Sequence, residues 1–265
     1  MSHRRKIGMF APLTFLLLAA IASVSAHPST AAIRAPAATA QVPPSVGDSI
    51  ALTTVPATPA AKLAAALGHS NGSTKTVYLT FDDGPNPIWT PEILSILEAT
   101  GAHASFFVIG ENAKAWPALV QREMRDGDTI GDHTWSHPNL TQLSSGAVFG
   151  ELARDEHLIG VLTGKAPSLW RPPYEDFNRS VTAIASGLGM RMQLWSVSTG
   201  DWQLPGTQVI VIRVMAALHN AMVVLFHDGG GYTRSETVAA VAILIPELQA
   251  AGYRVAALPA SGISG

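Results

Sequence analysis

From about residue 75 onward, short apolar runs alternate with stretches whose apolar residues recur every three to four positions. The runs at 77–81, 104–109, 129–131, 168–170, 190–197, 222–226 and 254–257 have strand length and β-branched or aromatic content. Between them, helical periodicity predicts helices over 113–125, from Ser144 or Ser145 to Leu162, and over 180–188, 209–218 and 237–251. A further helix is predicted to start at Thr90-Pro91-Glu92, with Thr90 as cap, Pro91 at the first helical position and Gly101 as its end. Strict alternation of strand and helix implies parallel strands joined by crossover helices. Near-continuous apolar strands imply a sheet covered on both faces.

Polar residues able to do chemistry concentrate just after the predicted strands. Asp82-Asp83, His133 with His137, Arg171, Asp201-Trp202 and His227 each follow a different one. In a parallel barrel those ends share one rim, so residues distant in sequence converge there. An open doubly wound sheet would spread them, and no glycine-rich nucleotide loop follows the first strand. The expected fold is therefore a distorted α/β barrel of seven strands.

The N-terminal region differs in kind. Arg4-Arg5-Lys6, the apolar residues 15–21 and the small residues Val24-Ser25-Ala26 have the order of a secretory signal peptide ending at residue 26. That apolar run is shorter than the ~20 residues of a spanning helix. Residues 27–71 are rich in Ala, Pro, Thr and Ser and read as a linker, leaving 72–262 as one folded domain. Export, with release or loose wall association and no stable membrane contact, is expected. There are no cysteines, so a metal would be held by His and carboxylate rather than thiolate. The formal net charge of −2 becomes −5 when Arg4, Arg5 and Lys6 leave with the signal, which argues against a nucleic-acid partner. A monomer is expected.

At residue level each candidate has two readings. Asp82 and Asp83 sit before Gly84-Pro85, where a strand must stop; they are turn residues, or a carboxylate pair that needs a nearby cation. His133 and His137, four apart, share a face in a helix or tight turn, and with one carboxylate make a common zinc set. His227 is a capped structural histidine or a proton donor. Arg171, stiffened by Pro172 and Pro173, is a surface arginine or orients a carboxylate through paired hydrogen bonds. Trp202, Trp89, Trp135 and Tyr232 close the core or stack on a sugar. His69, His157 and His219 stand at no strand end and are read as structural or exposed.

Thr80-Phe81-Asp82-Asp83-Gly84-Pro85, His133-Thr134-Trp135-Ser136-His137, Arg171-Pro172-Pro173-Tyr174, Asp201-Trp202 and Leu225-Phe226-His227-Asp228 resemble, in order, the motifs of the polysaccharide deacetylase family. These are the carbohydrate esterases of family 4, built on the NodB homology domain. The resemblance spans about residues 75–258 and implies a distorted (β/α)7 barrel that removes acetyl groups from a glycan, either peptidoglycan or chitin, with O-acetyl xylan and a silent carbohydrate-binding relative as alternatives. It further implies that Asp83, His133 and His137 hold a divalent metal, zinc or else cobalt. Asp82, held by Arg171, would be the base, and the Tyr174 backbone N–H would face the oxyanion. Leu225 and Trp202 would receive the acetyl methyl. His227, tuned by Asp201, would protonate the leaving amine. Three positions depart from the family pattern: Ser198 where an acid is common, Glu175 where glycine is common, and His103 where a cation able to bridge to Asp201 is common.

Overall fold

The computed structural model describes residues 74–231 and 233–263; the expected signal peptide, the linker, His69 and Tyr232 lie outside them. β1 (Lys75–Asp82), β2 (Ser105–Val108), β3 (Thr129–Asp132), β4 (Leu169–Trp170), β5 (Arg191–Met192), β6 (Val197–Ser198), β7 (Met222–His227) and β8 (Tyr253–Val255) form one sheet in the order β5-β4-β3-β2-β1-β7-β6. Every pairing is parallel. β8 adds to the start of β1 on the side where β2 takes over further along. The helices α1 (Trp89–Thr100), α2 (Gly110–Ala115), α3 (Pro117–Arg125), α4 (Ser145–Thr163), α5 (Arg179–Gly187), α6 (Thr207–Ala216) and α7 (Ser235–Ala250) surround it.

The sheet's two-residue period sorts side chains into two layers. Val77, Leu79 and Phe81 on β1, Phe106 and Val108 on β2, and Met222, Val224 and Phe226 on β7 face the helices and meet Ile93, Leu94, Ile210, Val214, Val241 and Leu244. Phe81 lies between Phe106 and Phe226, with ring centroids 5.2 and 5.5 Å away. Tyr78 and Val223, one position out of phase, turn inward and pack with Phe107, Leu169, Leu258, Trp195 and Ile263. The same phase carries Thr80 and Asp82 on β1, and Leu225 and His227 on β7, toward the interior. Asp82 and His227 are register partners.

Three expectations are corrected. The run 190–197 forms two short strands: the Gln193 N–H still donates to the Trp170 carbonyl and the Ser196 N–H to the Val223 carbonyl, but between them Leu194 and Trp195 leave the ladder, and the 193 and 194 carbonyls turn toward Arg171. The chain thus passes from one edge strand to the other through four residues, a reach of at most about 18 Å, so the barrel is closed except for an unpaired β5–β6 seam. The helix expected over 113–125 is two, broken at Trp116 (φ −129°, ψ 55°), because Pro117 disfavours helical backbone in the residue before it. Thr90 does not cap α1, which starts at Trp89 after Ile88; its hydroxyl instead donates to Asp228 and accepts from the Asn86 N–H. Ser144 does cap α4, accepting from the Ala147 N–H.

Candidate active site

Beyond Asp82 the chain turns sharply, with Asp83 at φ 73°, a left-handed conformation that aspartate tolerates better than most residues. The turn is clamped by the loop after β7: the Asp228 and Gly229 N–H groups donate to the Asp82 carbonyl (3.1 and 3.3 Å). A Cβ at Gly84 would fall on the Asp228 carboxylate, and one at Gly229 on the Asp83 carbonyl, so both positions exclude a side chain.

His133 and His137 meet through a turn, not a helix. Thr134 and His137 have φ of 71° and 59°, and the His137 N–H donates to the Thr134 hydroxyl (3.0 Å). His133 Nδ1 lies 2.8 Å from the Arg171 carbonyl, which only accepts, so the proton sits on Nδ1 and the Nε2 lone pair is free. His137 Nδ1 is 3.2 Å from the Tyr174 hydroxyl, whose own proton is directed to the His137 carbonyl, and again Nε2 is left open. Both Nε2 atoms converge on Asp83 Oδ1, at 3.5 Å and 3.3 Å, and that oxygen is buried without a hydrogen-bond partner. One ligand atom from each residue lies within 4.8 Å of the others. A stranded carboxylate oxygen facing two imidazole lone pairs fits a divalent cation and leaves room for further ligands. Burial opposes ionisation of Asp83, but with no cation bound the facing His133, and His227 and His137 when they carry charge, hold its pKa well below the carboxylate range.

Asp82 points the other way. Its Oδ1 accepts from Arg171 Nη1 at 2.7 Å, while Oδ2 lies 3.8 Å from His133 Nε2, at the cleft. Arg171 is fully buried, its guanidinium 4.0 Å from the Phe107 ring centre. Burial lowers its pKa and the Asp82 carboxylate raises it, yet a guanidinium keeps its proton even there. The expected paired contact is instead a single one: Nη1 also reaches Thr80 Oγ1 (2.9 Å), and Nε is bound to the Gln193 carbonyl (2.9 Å).

Across the interior, His227 Nδ1 meets Asp201 Oδ1 at 2.8 Å, and the His227 N–H donates to Oδ2 (2.9 Å), which also accepts from Thr237 (2.8 Å). Burial lowers the His227 pKa, but the hydrogen bond and charge of Asp201 prevail and raise it; burial raises that of Asp201, and His227 brings it down. A cavity of about 570 Å³ opens over these groups and is lined further by Tyr174, Glu175, Trp195, Ser198, Trp202 and Leu225. Eight of the ten expected site residues therefore line one cleft, and the other two, Arg171 and Asp201, are fully buried behind it and bonded to Asp82 and His227. Tyr174 and Glu175 both hold left-handed backbone (φ 61° and 58°), and the Tyr174 ring packs edge-on to His137. Trp135 is core, stacked under Arg154 at 3.5 Å, Trp89 is half-buried at the start of α1, and His157 and His219 are exposed. His103 sits at the other end of β2, its N–H bonded to the Val255 carbonyl and its ring beside Gly127, while Thr237 and Thr199 complete the surroundings of Asp201.

Four supporting groups went unread in the sequence. Thr80 was legible, since it shares the inward phase of Asp82. Gln193, Thr237 and the buried pair Asp132 and Asp155 carry no local signal. Asp132 Oδ1 accepts from the Thr134 N–H and Asp155 Oδ2 from the His133 N–H, bracketing the histidine turn. Burial pushes Asp132 up to about 7, and burial with the charge of Asp132 pushes Asp155 well above its usual value, because two facing carboxylates cannot both ionise away from water.

Comparison with known proteins shows the family of this chain. The sequence model described as Polysaccharide deacetylase matches residues 69–193. A chitooligosaccharide deacetylase of Bradyrhizobium sp. (strain ANU 289) is 36% identical over 197 residues, covering 70% of this chain and 90% of that protein. The chain belongs to the polysaccharide deacetylase family. A peptidoglycan-N-acetylglucosamine deacetylase of Bacillus cereus is 37% identical over 182 residues, 68% of this chain and 84% of its own length. The family 4 carbohydrate esterase of Streptomyces lividans, solved in complex with acetate, superposes with a TM-score of 0.67 at 28% identity, over 73% of this chain and 99% of that one. The expected distorted (β/α) barrel and the enzyme class, a hydrolase of the polysaccharide deacetylase type, hold for this family member.

Proposed function

We propose that this protein is an exported, metal-dependent deacetylase that hydrolyses the N-acetyl groups of N-acetylglucosamine glycans, chitooligosaccharide or peptidoglycan, to acetate and a free amine. A divalent cation bound by Asp83, His133 and His137, most simply zinc with cobalt as a substitute, supplies positive charge that acidifies water and polarises the acetyl carbonyl. Asp82 takes the proton of the attacking water, because Arg171 binds its Oδ1 and leaves Oδ2 at the cleft. The Tyr174 N–H faces the oxygen that gains charge, and Leu225 and Trp202 enclose the methyl group. His227 delivers the proton that the departing nitrogen needs, with its ring held by Asp201.

The observation that carries this reading is the opposition of Asp82 and His227, register partners on neighbouring strands, each held by a different buried partner. Amide hydrolysis needs both a base and an acid, since an amine leaves only when protonated; an acetyl ester needs the acid less. Export by a signal peptide at residues 1–26 is part of the proposal and rests on the order of basic, apolar and small residues there. The test is acetate release by metal-reconstituted protein from chitin oligomers, peptidoglycan and acetylxylan. Activity on acetylxylan alone would turn the reading to an O-acetyl esterase, and no release with zinc or cobalt would leave a silent binding protein. Asp83→Asn is expected to lose metal in a calorimetric titration.

A further inference from the structure

Among the described residues, the β5–β6 seam is where the barrel wall lacks strand pairing, and the Arg171 guanidinium is anchored on it. Gln193, the first residue beyond β5, gives its carbonyl to Arg171 Nε (2.9 Å), and the next carbonyl, Leu194, lies 3.4 Å from Nη2. The opposite edge of the same guanidinium holds Thr80 and Asp82. The direction of the Asp82–Arg171 contact thus depends on where residues 193–194 place two carbonyls at the very end of the ladder, whose last bond here is from the Gln193 N–H to the Trp170 carbonyl (2.9 Å).

A second strap holds them. Gln193 is almost fully buried, and its side chain bridges two chain segments: Nε2 donates to the Leu194 carbonyl (2.8 Å) and Oε1 accepts from the Ile263 N–H (2.7 Å). The segment 258–263 that delivers Ile263 crosses the floor of the barrel. Its Leu258 N–H donates to Ser105 Oγ on β2 (2.9 Å), its Leu258 carbonyl accepts from Thr129 on β3 (2.8 Å), and Ile263 packs into the inner cluster with Leu169 and Val223. Gly262, at φ 68°, lies so close that a Cβ there would come within 2.8 Å of Gln193 Oε1.

We propose that Gln193 and segment 258–263 form a latch that closes the seam and acts, through the Gln193 and Leu194 carbonyls, as a positioning device for Arg171 and so for the proton-accepting carboxylate Asp82. Sequence that crosses the floor of the barrel thereby sets the geometry of the rim. The role assigned to Asp82 rests on the deacetylase reading above; the latch itself is read from Arg171.

Gln193→Met keeps the length of the side chain and removes both hydrogen bonds. We expect kcat for acetate release from a chitin oligomer to fall about tenfold, since small misplacements of a catalytic group cost up to ~10²-fold, with KM and zinc affinity by calorimetry unchanged. In 15N-labelled protein the Arg171 Nε–H should exchange with solvent about tenfold faster. In an Arg171→Lys background, which has no Nε–H, the added effect of Gln193→Met should shrink to less than about twofold. Gly262→Ala, which crowds Oε1 directly, should reproduce the kcat loss if the Arg171 variant does not fold. An unchanged kcat and exchange rate in Gln193→Met, or a matching loss of zinc affinity, overturns the latch. If the unaltered protein releases no acetate, the deacetylase reading falls while the Arg171 exchange rate still decides the latch.

Discussion

Two buried carboxylate–cation pairs stand side by side at the ends of neighbouring strands, and they differ in whether the cation can give up its proton. Asp82 is paired with Arg171, a permanent cation that also binds Thr80 and the Gln193 carbonyl. Asp201 is paired with His227, whose ring gives up its proton far more readily than a guanidinium does. Burying an ion pair brings no assured stability, because desolvation offsets the Coulomb gain. Each pair is better understood through what its geometry fixes. The guanidinium holds one oxygen of Asp82 and leaves the other at the cleft to accept a proton. The Asp201 carboxylate does the reverse, holding a proton on His227 to a higher pH so that it can be donated.

The largest expected effect comes from removing the accepting side. Asp82→Asn retains an oxygen for Arg171 Nη1 and leaves the Asp83–His133–His137 set intact, so zinc binding by calorimetry should persist while kcat falls by about 10²–10⁴-fold. Full activity would show that the Arg171 pair serves packing alone. Next, His227→Ala is expected to lower amide hydrolysis by about 10²-fold and to spare an activated acetyl ester by comparison; equal losses on both would remove the distinction between the pairs.

The Asp201→Asn substitution sharpens the comparison through pH. His227 must be protonated to donate, so activity is present below its pKa and is lost as pH rises through it. Asp201 raises that pKa against the effect of burial. Removing the charge should move the alkaline limb of the kcat/KM profile to lower pH and leave kcat on its plateau less affected. A limb that stays in place would assign it to another group. The smallest effect is expected from Thr237→Val, which deletes one hydrogen bond to Asp201 Oδ2; about 0.5–1.5 kcal/mol of stability, read as a lowered melting temperature, is the scale of one such bond.

Much of the site was legible because it follows local rules. Asp82 and His227 end apolar strands in the inward phase, and parallel alternation sends those strand ends to one rim. The misreadings also have local causes. Pro117 announces the break at Trp116, and periodicity alone concealed it. The run 190–197 has the length and content of one strand, and its polar Arg191, Gln193 and Ser196 do not by themselves mark where the ladder stops. Thr90 has the pattern of a cap, yet a buried carboxylate 138 residues away takes its hydroxyl.

By itself the sequence determined the order of strands and helices, the phase that turns Asp82, Leu225 and His227 inward, and the donor types available for a metal without thiolates. These depend on chirality, the two-residue period and side-chain chemistry, all of which act over a few residues. Only the tertiary structure decided that Arg171 makes one contact to Asp82 and hands its other edge to the seam, that Thr237 completes the surroundings of Asp201, and that Asp132 and Asp155 face each other beneath the histidine turn. Those contacts join residues 22 to 89 positions apart, and their strength comes from burial shared by several elements at once, which no local stretch of the chain encodes.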